Sequence, residues 1–227
     1  MIDSIAALPE SLGNQLINLC AALMLLLGFA MLAQRRILSL INLFMLQGMA
    51  LFASTLIVAY TTKQPHLYWS AGLTLMLKVL ALPYILHRLI RKLSVKWDVE
   101  TLINIPTTML VGIVLVVVAF NVAQPISQIA GTVMRGTIGI ALACVLLSFL
   151  MMITRSKAVP QVIAFLAMEN GLFFAATSAT YGMPMVVEFG VALDVMVGMV
   201  IFGVFFFQIR EQFDSLDIRQ MERIKEE

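Results

Sequence analysis

Apolar residues run along this chain in long unbroken blocks, separated at intervals by short polar or charged clusters. Seven blocks, at about 13–33, 38–60, 68–88, 103–122, 133–153, 160–181 and 186–208, reach the ~20 residues that an α-helix needs to cross a hydrocarbon core at 1.5 Å per residue. None shows the two-residue alternation of a transmembrane β-strand. The pattern predicts an all-α integral membrane protein of seven transmembrane helices, with short loops and no soluble domain. Composition points the same way. Of 227 residues, 61% are hydrophobic and 12% charged, half the ~25% charged of an ordinary soluble domain. The leading segment, Met1 to Gly13, carries Asp3 and Glu10 but no Lys or Arg, so the first block is expected to be a helix of the protein rather than a cleaved signal.

The cations order the helices across the membrane. Arg35 and Arg36, Arg88, Arg91, Lys92 and Lys96, Arg155 and Lys157, and Arg210, Arg219, Arg223 and Lys225 flank one side of the seven blocks, twelve in all, against Lys63 and Arg135 on the other. Basic residues mark cytoplasmic flanks. The N-terminus is therefore expected outside and the C-terminus inside, in a multi-pass membrane protein. The alternating charges of the tail after Arg210 fit a solvated helix or a docking strip.

Polar groups deep within the blocks are the candidate chemistry. Gln47, Lys78, Glu169 and Asp194 each stand near the middle of a span, two in each half of the chain. An ionisable group at that depth costs at least ~2.5–3.5 kcal/mol, and such groups mark proton or ion paths or, alternatively, structural ion pairs between helices. Glu169 lies nine residues from Pro160, ~14 Å into its helix, and Asp194 stands at comparable depth on the next. The short turn Tyr181–Gly182–Met183–Pro184 makes those two helices antiparallel neighbours. Low dielectric resists ionisation of a carboxyl whereas a nearby Lys favours it, and the opposition suits a group that loads and releases protons. Lys78 is expected near one of the two. Glu188, six residues before Asp194, points about 120° away from it and belongs to the outer rim.

Other chemistry is thin. Cys20 and Cys144 are isolated in apolar runs, read best as buried inert thiols, and His66 and His87 sit at span boundaries as interfacial anchors. Gly-rich phosphate loops and nucleophile–base pairings are missing, so no cofactor, metal or catalytic centre is expected in this chain, and no nucleic-acid partner. Pro83 frees a carbonyl near Val79, one turn from Lys78, where a kink would open a polar spot.

The halves read as related. Residues 1–96 form one three-helix unit, 97–127 a linking span, and 128–227 a second three-helix unit with a cytoplasmic tail. Gln47 and Lys78 in the first correspond to Glu169 and Asp194 in the second, and LQGMALFAS resembles MENGLFFAA. Parallel duplication of this kind recurs among transporters.

Over nearly its whole length the chain resembles the hydrogenase-4 component E family, membrane subunits of formate hydrogenlyase-type complexes. The resemblance rests on MENG (Met168 to Gly171), VEFGVALD (Val187 to Asp194), Leu216–Asp217 in a basic tail, and WSAGLTLMLKVLALP (Trp69 to Pro83), with its Lys ahead of a Pro. The last three spans are similar to the K subunit of complex I, with Glu169 and Asp194 in the places of two membrane glutamates, although position 194 is Asp here. The resemblance implies a non-redox subunit of a group 4 [NiFe]-hydrogenase assembly. The NiFe site and Fe–S clusters would reside in soluble hydrogenase subunits, and antiporter-like and quinone-chamber-like membrane subunits would flank this one. Two other readings stand beside it: a subunit of a multi-subunit cation/proton antiporter, and a structural spacer in which Lys78 merely neutralises a carboxyl.

Overall fold

A computed structural model describes residues 10–93, 101–129 and 135–180. It contains six rods: α1 (Glu10–Ala33), α2 (Ile37–Thr62), α3, α4 (Ile105–Ile129), α5 (Arg135–Thr154) and α6 (Ala158–Thr180). The third is composite. It runs as α-helix over Pro65–Thr74, as π-helix over Leu75–Ala81 and as α-helix again over Leu82–Leu93. All six are long and apolar enough to cross a membrane. They match the first six blocks of the sequence to within a few residues at most ends, the largest departure being α4, which continues through Pro125. The seventh block, with Glu188 and Asp194, lies outside the described residues.

Helix ends follow local chemistry. Lys63 takes a left-handed conformation (φ 54°) after α2, and Gln64 is extended ahead of Pro65 at the first turn of α3. Proline is well placed there, because its missing N–H would have had no intrahelical partner. Within α3 a second proline acts differently. Pro83 cannot donate to the carbonyl one α-turn back, and its ring crowds that carbonyl. The preceding backbone widens in response, and the Leu82 N–H bonds to Leu77 O, five residues back. The kink expected beside Lys78 is thus a seven-residue π-helix with Lys78 at its centre.

The rods pack as two hairpins face to face. α1 lies against α2 and α5 against α6, while α1 also contacts α5 and α2 contacts α6. α3 flanks α2, and α4 flanks α5 and touches α1. Two apolar clusters fill the centre, one around Leu32, Phe44, Leu147 and Ile163, the other around Met24, Leu51, Leu67 and Phe174. Lipid tails are as apolar as these side chains, so close packing and buried polar contacts hold such helices together. Gly171 illustrates this: a Cβ there would stand 3.1 Å from Val145 Cγ2 and 3.2 Å from Val145 N. By contrast α4 turns Leu110, Val114 and Val117 outward, a surface suited to lipid.

One end of the bundle is tied by Arg155, which is only 1% exposed. Its Nη2 donates to Met31 O (3.0 Å) and Leu32 O (2.7 Å), two carbonyls in the last turn of α1, of which Met31 O also accepts from Gln34 N (3.2 Å). Its backbone pairs with Thr101, and Leu102 N donates to Thr154 O (2.8 Å), so the loops α1–α2, α3–α4 and α5–α6 gather at one end. Burial pulls the guanidinium down to about 10, still charged at neutral pH. The cation counted in the sequence as part of a basic flank is here also an interhelical clasp.

A buried charge pair and amide pair at mid-membrane depth

Glu169 is the middle residue of α6, and Lys78 is the central residue of the π-helix. Their side chains meet: Lys78 Nζ stands 3.0 Å from Glu169 Oε1, with the two side chains 7% and 12% exposed. The same ammonium lies 5.1 Å from the centre of the Phe173 ring, one turn along α6. A cation over an aromatic face gains ~0.5–2 kcal/mol, and most when desolvated. The widened backbone brings the lysine inward at a level where a membrane helix ordinarily carries only apolar groups.

Beside the charges lies an uncharged pair. Asn170 Nδ2 donates to Gln47 Oε1 at 3.3 Å, and both residues are fully buried. α2 and the π-helix touch at this level, since a Cβ on Gly48 would stand 3.4 Å from Val79 Cγ2 and 3.6 Å from Lys78 O. Three rods therefore bring Gln47, Lys78, Glu169 and Asn170 into one polar layer. Glu169 Oε2, Gln47 Nε2 and Asn170 Oδ1 are buried there without a hydrogen-bond partner. Orphaned polar atoms cost ~1–3 kcal/mol each, so the layer is a site of stored polar capacity inside an apolar bundle.

Its chemistry is set by the pair. Together Lys⁺ and carboxylate are neutral, which limits the cost of keeping them in low dielectric. One added proton leaves Lys⁺ beside a neutral carboxyl, and one removed proton leaves a neutral amine beside carboxylate. The pair therefore has three accessible protonation states.

Of the residues expected to form the site, the structure unites Lys78 and Glu169 and adds Gln47. Asp194 and Glu188 lie outside the described residues. Asn170 and Phe173 were not singled out in the sequence, although both sit in the MENG segment or one turn beyond it. His87 donates from Nδ1 to Pro83 O (3.0 Å), a bond within its own helix at a span boundary. Both cysteines are free and buried. Among the described residues no three His, Cys, Asp or Glu side chains are grouped to hold a metal ion.

Comparison with known proteins gives the chain distant relatives. No family model matches the chain, and no solved structure matches it. It is 27% identical over 212 residues to the uncharacterized protein Rv0085 of Mycobacterium tuberculosis, an alignment that covers 93% of this chain and 96% of that protein. It is 22% identical over 215 residues to hydrogenase-4 component E of Escherichia coli K12, covering 94% of this chain and 99% of the relative. The protein of Shigella flexneri bearing the same name gives the same figures. The chain is therefore a multi-helix membrane protein distantly similar, from end to end, to a hydrogenase-4 component E.

Proposed function

We propose that this chain is a non-redox membrane subunit of a hydrogenase-like complex, and that its Lys78–Glu169 pair, with Asp194 on the next span, carries protons through the bilayer. The carrying observation is the 3.0 Å contact between two ionisable groups at mid-membrane depth, contributed by helices of different halves of the chain. The similarity to hydrogenase-4 component E over 94% of the chain supports membership of a hydrogenase-like assembly, which this proposal takes to be of the formate hydrogenlyase type. NiFe and Fe–S centres then belong to soluble partner subunits, and antiporter-like and quinone-chamber-like subunits flank this one in a bacterial or archaeal cell membrane.

In this reading a proton arriving at Glu169 neutralises the carboxylate and weakens its hold on Lys78. The ammonium is then released from its partner, and its electrostatic effect on the next acidic group, Asp194, changes. Loss of the proton from Glu169 restores the pair. On the resemblance of the last three spans to the complex I K subunit, the same two acidic positions would take this role, and Glu188 is a candidate outer-rim relay. The drive for the cycle comes from redox chemistry elsewhere in the complex. A cation/proton antiporter subunit would use the same pair.

The topology follows from charge. Seven helices, N-out and C-in, in two related three-helix units (1–96 and 128–227) joined by the span within 97–127, account for twelve cations against two. The gathering of three basic-side loops at one end of the bundle supports this order. Reporter fusions after residues 62, 127 and 227 should read outside, outside and inside. A cytoplasmic reading at 62 or 127 would sink the arrangement.

Assembly is tested by purification. A polar layer with orphaned atoms and no redox centre fits a protein that works only in company. Mild-detergent isolation through a C-terminal tag should bring down other membrane subunits together with Fe–S-containing proteins. Recovery of a proton-conducting homo-oligomer alone would reject membership of such a complex.

A further inference from the structure

On the outer side of the π-helix the bundle carries a groove of about 1100 Å³, walled by α2 at Met45 and by α3 at Met76, Leu80 and Tyr84, with His87 and Arg88 at one end. Its polarity is graded along its length. Met76, Leu80 and Tyr84 are 70%, 58% and 65% exposed, an apolar wall, whereas the charged end coincides with the last residue of the third span. Arg91 and Lys92 follow one turn further along the chain. From Met76 to Arg88 is twelve residues, a rise of at most about 18 Å. Half of a ~30 Å hydrocarbon core is of similar length, so the groove runs from mid-membrane to one interface.

We infer that this groove is a binding site for an anionic phospholipid, its phosphate on Arg88 and its acyl chains along Met76, Leu80 and Tyr84. Charge complementarity selects this occupant. Basic pockets between transmembrane helices on the cytoplasmic side take acidic headgroups, and a guanidinium meets a phosphate in a fork that an ammonium-bearing or neutral surface cannot supply. A helix from a partner subunit would fill the apolar length but leave the basic end without a counter-charge. His87 donates Nδ1–H to Pro83 O, so its neutral ring offers Nε2 at the same end as an acceptor for a headgroup hydroxyl. Because the groove's floor includes Val79, beside Lys78, a bound acyl chain would also brace the π-helix against the bilayer. The inference stands apart from the proton-carrying role, since neither Arg88 nor Met76 belongs to the polar layer.

Native mass spectrometry of the full-length protein, purified with its partners, tests it. Phosphatidylglycerol, phosphatidylcholine and inorganic phosphate are added in parallel. Phosphatidylglycerol should be retained about fivefold or more over phosphatidylcholine, a preference that Arg88→Gln removes and that inorganic phosphate does not reproduce. Met76→Trp, which fills the apolar part, should reduce retention of both lipids. Equal retention of the two lipids by the unmodified protein overturns the site, as does an unchanged preference in Arg88→Gln. A phosphate adduct matching the lipid's affinity would assign the site to a free anion instead. Crosslinking from a photoreactive residue at position 84 to another subunit, rather than to lipid, would assign it to a protein partner.

Discussion

Lys78→Met should sharply lower the stability of the protein, and adding Glu169→Gln should recover most of what was lost. The reason is charge balance. Glu169 Oε1 lies 3.0 Å from Lys78 Nζ, and its second oxygen has no partner. Removing the lysine strands a carboxylate in the bilayer, a loss of ~3–5 kcal/mol when one member of a buried pair is deleted. The carboxyl can limit that loss by taking up a proton, but it then adds an unsatisfied hydroxyl to a layer already rich in orphaned atoms. Met and Gln together carry no charge and nearly the same volume, and such replacements of a buried pair are often neutral. Thermal unfolding in detergent, followed by the survival of the monodisperse peak, measures both. A double variant as unstable as the sum of its single variants would show that the two side chains do not act as a pair.

Gly171→Leu should prevent the bundle from forming correctly, whereas Gly72→Leu should be tolerated. At Gly171 an added Cβ meets Val145 Cγ2, Val145 N and Cys144 Cβ at 3.1–3.3 Å. Two of those three contacts are backbone or backbone-proximal and cannot swing aside. A leucine would therefore push α6 away from α5, and overpacking of this kind costs ~1–3 kcal/mol or more. Glu169 and Asn170 precede the glycine directly, so the displacement would also pull both from their partners. Gly72 has nothing within 4 Å of the corresponding position. Expression level and native-gel mobility of the two variants check the contrast. Equal behaviour would mean that the α5–α6 contact is not as close as the structure has it.

Much of this was legible in the sequence because membrane helices are written in a simple code. Length and hydropathy located six described helices, since a span of ~20 apolar residues has few alternative folds. Depth then singled out Gln47, Lys78 and Glu169, as polar groups there are costly enough to be exceptional. Which of them touch was not legible. The apolar text on either side is nearly featureless, so nothing in it states that α2, α3 and α6 share a face. Pro83 announced a disturbance near Lys78, but not that the backbone would take it up as a π-helix. Arg155 was counted only as a flanking cation, because charge counting does not see the carbonyls at a neighbouring helix end that it binds. Asn170 was hidden by the alignment of the halves: shifting it by one residue sets Gln47–Gly48 against Asn170–Gly171, and these two amides are the ones that bond.

Proton movement with the central carboxyl neutralised is the most direct test. Glu169→Gln keeps the size of the side chain and an acceptor for Lys78, but it cannot carry a proton, and Asp194→Asn does the same on the neighbouring span. Lys78→Met should have an intermediate effect on transport and Glu188→Gln a mild one. The measurement is quenching of an acid-sensitive dye in membrane vesicles during turnover of the complex, with complex yield read on a native gel. Judged per assembled complex, both carboxamide variants should slow acidification by roughly tenfold or more, the scale on which positioned proton carriers act. Normal assembly with acidification at the unmodified rate would contradict the account and leave the Lys78–Glu169 pair as a structural clasp.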